Sequence, residues 1–194
     1  MPRPGRPVPA PLTNAAGRQY DNTRKRREEG RMTDATIETA SATSEDEAFL
    51  FELYGSTRTE EAEAWGWGDR EREAFLLQQF QCQQRAYRLQ YPHAECRIIR
   101  CDGSKAGRIL TEEGPDEIRV IDISLLPPYR GLRIGTALLR RWQAVAAVCG
   151  KPLTLHVLRA NRALRLYDRL GFRTVSGDEA YVAMEWRRGT PIPG

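Results

Sequence analysis

The stretch Pro127-Pro128-Tyr129-Arg130-Gly131-Leu132-Arg133-Ile134-Gly135-Thr136 links an apolar run to an amphipathic one. A helix that starts in such a turn presents several N–H groups without intrahelical acceptors, together with the positive end of its dipole. Phosphate binds there when small residues let it approach the backbone. Gly131 and Gly135 supply that access, although glycines at this spacing also simply shape loops. Asp122 is a second candidate, because it interrupts the apolar run Val120-Ile121-Asp122-Ile123. A carboxylate there either takes part in proton transfer, caps a neighbouring loop or pairs with an arginine. Glu117 lies further back on the same run. His156, on the next apolar run, is of a type that titrates near neutrality, but a strand histidine with a satisfied hydrogen bond is the commoner case. Cys82, Cys96, Cys101 and Cys149 form no CxxC pair and adjoin no histidine cluster. Neither a zinc site nor a disulfide framework follows, and buried free thiols are expected.

The elements that must hold these residues follow from periodicity and turn chemistry. A short strand is expected at Thr36–Ala40. Ser44 followed by Glu47 reads as a capping box that opens a helix with Phe49, Leu50, Leu53 and Tyr54 inside. Trp65-Gly66-Trp67-Gly68 interrupts it, and Asp69 caps a second helix carrying Leu76, Phe80, Tyr87 and Tyr91 until Pro92 stops it. Strands are predicted at Cys96–Cys101, Gly107–Thr111 and Glu117–Leu126, the first two joined through Asp102-Gly103. Gly131–Cys149 reads as a helix with the apolar stripe Ile134, Leu138, Trp142, Val145 and Cys149. A strand at Leu153–Leu158, a helix at Asn161–Leu170, and strands at Phe172–Val175 and Tyr181–Trp186 around a Ser176-Gly177 turn complete the order β-αα-βββ-α-β-α-ββ. This is an α/β (α+β) pattern, a mixed central sheet of about six to seven strands with helices on both faces.

The formal charge of +4 is unevenly distributed. Residues 1–33 hold eight Lys or Arg against three Asp or Glu, and their Pro, Arg, Asn and Gly content predicts a disordered extension. Glu28-Glu29-Gly30 also admits a second reading, as the translation of a purine-rich ribosome-binding sequence ahead of a start at Met32. The expected domain occupies residues 34–188, with a tail at 189–194. Residues 34–126 carry 10 basic and 19 acidic side chains, and residues 127–194 carry 12 and 4. A nucleic-acid partner is therefore not expected, since counterion release needs cations clustered on the folded part. One half suits an anion and the other a cation. The absence of a long apolar run or secretory signal predicts a soluble, cytoplasmic protein without a membrane partner.

Arg130 and Gly135 fill the first and last places of the acetyl-CoA motif of the GNAT superfamily of N-acetyltransferases, Gln or Arg, x, x, Gly, x, Gly or Ala. The stretch Asn161, Ala163, Leu166-Tyr167, Leu170-Gly171-Phe172 matches that family's second signature, in the family's order and spacing. The chain resembles this family from about Thr36 to Trp186. One residue departs from the pattern: the motif's middle glycine is Arg133. Its side chain either covers the pyrophosphate channel or turns outward and adds a cation, and the basic surplus of residues 127–194 favours the second.

Acyl transfer from a thioester needs a neutral amine, a donor to the oxyanion and a proton for the departing thiolate. The resemblance implies that acetyl-CoA is the donor and that no metal takes part. It assigns the cofactor to Ile123, Ser124, Leu125, Arg130, Gly131, Leu132, Arg133, Ile134, Gly135, Thr136, Asn161 and Tyr167. It implies two splayed strands, Ile123–Leu125 facing Leu155–Leu158, whose free backbone groups hold the pantetheine arm and the thioester carbonyl. Tyr167 matches the general acid, against the plain alternative of a core tyrosine flanked by Leu164 and Leu170. Asp122 is the candidate base, acting through water, and a neutral amine would need none. The resemblance gives the acceptor side to the two early helices, where Tyr54, Trp65 and Trp67 either wall in a small cationic amine or pack beneath a solvated acidic face. A protein lysine or N-terminus, and a non-catalytic acyl-CoA-binding module, are the alternatives. A homodimer is the assembly common among similar proteins.

Overall fold

The computed structural model describes residues 35–58 and 67–189. The expected disorder of residues 1–33, the start at Met32, Trp65 and most of the 189–194 tail lie outside the described residues. The elements are β1 (Ile37–Ser41), α1 (Glu47–Ser56), α2 (Asp69–Gln90), β2 (Glu95–Cys101), β3 (Ser104–Glu113), β4 (Ile118–Leu125), α3 (Ile134–Cys149), β5 (Leu153–Leu158), α4 (Leu164–Arg169), β6 (Arg173–Gly177) and β7 (Tyr181–Trp186). They form one seven-stranded sheet in the order β1-β2-β3-β4-β5-β7-β6, antiparallel except between β4 and β5.

Alternation along the central strands separates two apolar faces. Ile99, Ile109, Ile118, Val120, Leu153 and Leu155 pack under α3 and α4. Cys96, Leu110 and Ile121 meet Tyr87 of α2 and Tyr91, the residue that follows it, on the other face. The α1 helix packs on α2, with Phe51 and Tyr54 rings 5.7 and 5.6 Å from Phe80. On α3 the buried residues are Ile134, Leu138, Leu139, Gln143 and Ala146, whereas Val145 and Cys149 are exposed. The expected stripe thus runs along the wrong edge of the helix after its second turn. Gln143 belongs to the buried face because its amide donates to the Leu170 carbonyl at 2.7 Å. Cys82 is also exposed, so only Cys101 of the four free thiols fits the expectation of full burial.

Two local features shape the middle of the sheet. The β3–β4 register shifts after Leu110, which pairs with Asp122 while Thr111 pairs with Val120, so Ile121 is an extra residue on β4. Such a bulge bends and twists its strand. The β4–β5 pairing covers only Ile118–Val120 against Leu153–Leu155 and ends where the bulge begins. Beyond it the two parallel strands have parted, as the resemblance implies. No described helix is long and apolar enough to cross a membrane.

Candidate active site

A cavity of about 260 Å³ opens where β4 leaves β5. Its walls come from α1 and α2 on one side (Leu53, Tyr54, Thr57, Gln83) and from the turn, α3 and α4 on the other (Arg130, Gly135, Asn161, Leu166, Tyr167). Between them run Arg108 of β3 and Asp122, Ile123, Ser124 and Leu125 of β4. Past Val120, β4 keeps its partners on β3 but has none on β5, so one edge of Ile121–Leu125 offers backbone groups to a ligand.

The β4–α3 turn explains how an anion fits. Gly131 lies at φ 74° and Arg133 at φ 58°, both in the left-handed region, and α3 begins directly after them. Among the described residues, no carbonyl accepts a hydrogen bond from the N–H groups of Gly131 through Thr136. Six successive donors at a helix start make an electropositive cradle for phosphate oxygens. A Cβ on Gly135 would stand 3.7 Å from Leu166 and 3.9 Å from Ile123, ordinary contacts, so alanine would fit sterically there. The pattern of free N–H groups, small residues and an unpaired strand edge fits coenzyme A, whose pyrophosphate and pantetheine present these two kinds of acceptor.

The side chain of Arg130 lines the cavity and is also bonded to the backbone around it. Its Nε donates to the Leu125 carbonyl at 2.7 Å, and Nη2 reaches the Ser56 carbonyl at 3.3 Å. It ties the turn to the end of β4 and to the C-terminus of α1, where a cation opposes the helix dipole. The turn is therefore held in shape by Arg130 and presents its donors through the backbone. Arg133 is exposed at the helix start, so its side chain does not fill the cavity. Asn161 accepts a hydrogen bond from the Ala163 N–H at 2.9 Å and fixes the approach to α4.

Tyr167 lines the cavity, 7 % exposed, with its ring 5.8 Å from Phe172 in an edge-on contact. Its hydroxyl makes no hydrogen bond to another described residue. Burial, and then the negative charge of Asp122, push its pKa up to about 12. The phenol therefore holds its proton at neutral pH and is available as an acid.

Asp122 is buried, and its Oδ2 accepts from Arg108 Nε at 2.8 Å. Both carboxylate oxygens lie 3.1 Å from the Ser124 hydroxyl. Arg108 extends the network, donating from Nη2 to Gln83 Oε1 at 3.3 Å, with its guanidinium 5.7 Å from the Tyr87 ring centre. Burial is the largest single influence and opposes the Arg108 charge, but Asp122, Tyr87 and Cys96 together raise its pKa. The arginine pairing considered from sequence is present, and the pair faces the cavity.

Other candidates are elsewhere. His156 lies on β5 opposite Ala183 and outside the cavity, and burial, then Arg119, lower its pKa. Glu117 is bonded to Arg119 and to the Thr154 hydroxyl. Leu155–Leu158 do not line the cavity either; that stretch is paired with β7. Of the expected aromatic wall, Tyr54 lines the cavity, but Trp67 is 43 % exposed and packs edge-on against Phe75. Arg108, Gln83 and Thr57 are absent from the residues that sequence singles out. Arg108 has a signal, a lone cation inside the apolar run Gly107–Thr111, but its partner lies 14 residues away.

Residues 92–174 match the family model described as an acetyltransferase (GNAT) domain. No curated protein sequence matches the chain. Among solved structures, PaiA N-acetyltransferase from Thermoplasma acidophilum in complex with coenzyme A is 20 % identical with a TM-score of 0.58, over 78 % of this chain and 99 % of that one. The ribosomal-protein-S18-alanine N-acetyltransferase from Escherichia coli is 18 % identical with a TM-score of 0.53, over 82 % and 97 %. An acetyltransferase from Thermus thermophilus is 17 % identical with a TM-score of 0.55, over 78 % and 97 %.

Proposed function

We propose that this chain is a GNAT acyltransferase that moves an acetyl group to a primary amine by direct attack in a ternary complex, a reading supported by the match over residues 92–174 and by the fold. The observation that carries this is one cavity that joins the donor cradle to a protonated, buried phenol. When bound, acetyl-CoA supplies the thioester and a thiolate leaving group. The N–H groups from Gly131 to Thr136 hold the pyrophosphate, and the unpaired edge of Ile123–Leu125 receives the pantetheine and the carbonyl oxygen. Tyr167 gives its hydroxyl proton to the departing sulfur. Asp122 receives the proton leaving the amine, by way of the Ser124 hydroxyl bonded to it. The neutral amine nitrogen then bonds the acetyl carbon, the carbon–sulfur bond breaks, and the second proton lost from nitrogen restores the Tyr167 hydroxyl.

The acceptor in this reading is a small molecule whose amine is cationic in water. The small cavity and its single carboxylate, Asp122, support it. A panel of small amines and peptides, assayed for thiol release from acetyl-CoA, tests the proposal. Turnover of small amines is expected. Preference for peptides would make the chain a protein acetyltransferase, and coenzyme A binding without release on any amine would make it a binding module.

A further inference from the structure

Within the cavity the charges are Arg108, Arg130 and Asp122, two cations against one anion. The acidic surplus of residues 34–126 does not reach this surface, so an acceptor bearing only positive charge meets a net repulsive lining. Arg108 is the informative residue. It is 5 % exposed, and a guanidinium has five N–H donors. The Nε–H is taken by Asp122 and one Nη2–H by Gln83. No described residue accepts a hydrogen bond from Nη1. Burying a guanidinium is costly unless its donors are met, and the open edge belongs to a residue of the cavity wall. Such an edge matches a carboxylate in fork geometry. Asp122 has complementary capacity, since its Oδ1 accepts only from Ser124 and a carboxylate oxygen has two lone pairs.

We infer that the Arg108–Asp122 pair receives an acceptor whose amine and carboxylate stand on the same carbon, an α-amino acid. The carboxylate binds the outer guanidinium edge, and the ammonium faces the Asp122–Ser124 pair, through which its proton reaches Asp122. The two protein charges touch at 2.8 Å, and the ligand's opposite charges are also adjacent. A polyamine or a decarboxylated amine leaves the Arg108 edge unmet. Gln83 holds the guanidinium in register for this contact. The inference rests on the acetyltransferase reading for its amine, and adds the carboxylate.

The test compares each α-amino acid with its amide and its decarboxylated amine, on the full chain. Two readouts are taken: thiol release from acetyl-CoA, and calorimetric binding to protein loaded with coenzyme A. The amino acid should exceed both analogues by about tenfold to a hundredfold, the effect of losing a charge-assisted hydrogen bond. Arg108→Lys should raise the amino-acid KM or Kd by at least about tenfold while coenzyme A affinity stays. Where Arg108→Lys fails to fold, the double variant Arg108→Gln with Asp122→Asn, which removes both charges of the pair together, should bind the amino acid no better than its amide, and a retained preference would overturn the inference. Amides or amines that match the amino acid in both readouts overturn the inference and leave the acetyltransferase reading standing. Selective amino-acid binding without thiol release on any amine overturns the enzyme reading and leaves the inference standing.

Discussion

Burial ties the Tyr167 hydroxyl proton to the stability of the fold. Its folded pKa is about 12 and an unfolded tyrosine ionises near 10. Below about pH 10 both states keep the proton, so the stabilisation is fully present. As pH rises from about 10 to about 12 only the unfolded chain ionises, and stability falls by roughly 3 kcal/mol. Urea unfolding at pH 9 and pH 11 should therefore show a larger loss for the native chain than for Tyr167→Phe. Equal losses would mean that the phenol ionises as if exposed. Arg133 gives a second prediction. An L-residue at φ 58° costs roughly 1–2 kcal/mol, and glycine's extra freedom when unfolded costs roughly 0.5–1. Arg133→Gly should leave stability level or slightly higher, and should weaken acyl-CoA binding a few-fold by removing a cation. Tighter binding would show that the side chain obstructs the channel.

At the level of elements, the site depends on how closely β3 and β4 approach. A Cβ on Gly107 would lie 2.1 Å from the Ser124 carbonyl oxygen and 3.0 Å from Leu125 Cα, both backbone atoms. Gly107→Ala must push the strands apart beside the cavity, at a cost of about 1–3 kcal/mol or more. Its denaturant midpoint should drop accordingly, and a native midpoint would refute the close approach. The same elements show what sequence could convey. The limits of β5 and β7 are legible because a period of two is bounded by clear turn residues. The α3 start is not, since Gly131–Arg133 continue the apolar pattern while taking turn conformations, and the helix begins at Ile134. Thr43 and Asp46 cap the first helical turn, one residue ahead of the Ser44–Glu47 pair, with a geometry that either pair suits on paper. Ser176 and Gly177 lie in β6, and the turn is made by Asp178, whose carboxylate accepts from Ala180 and Tyr181.

Across the whole molecule, the side of the cavity built by the β4–α3 turn and α4 is readable in the sequence and the opposite side is not. The turn and the Asn161–Phe172 segment are each contiguous, so their residue order carries their geometry. That opposite wall joins Leu53, Gln83, Arg108 and Asp122 from four elements, and only the β3–β4 register with its bulge brings the last two together. The division of charge along the chain indicates partners for each half, but the cavity selects its own subset, in which arginine outnumbers carboxylate. The decisive measurement is coenzyme A affinity and amine-dependent thiol release, taken together on the native chain and Tyr167→Phe. The variant should keep its fold and its affinity while kcat drops by about 100-fold or more, the usual scale of a general acid. A variant that turns over at the native rate would contradict the assignment of Tyr167 as the acid.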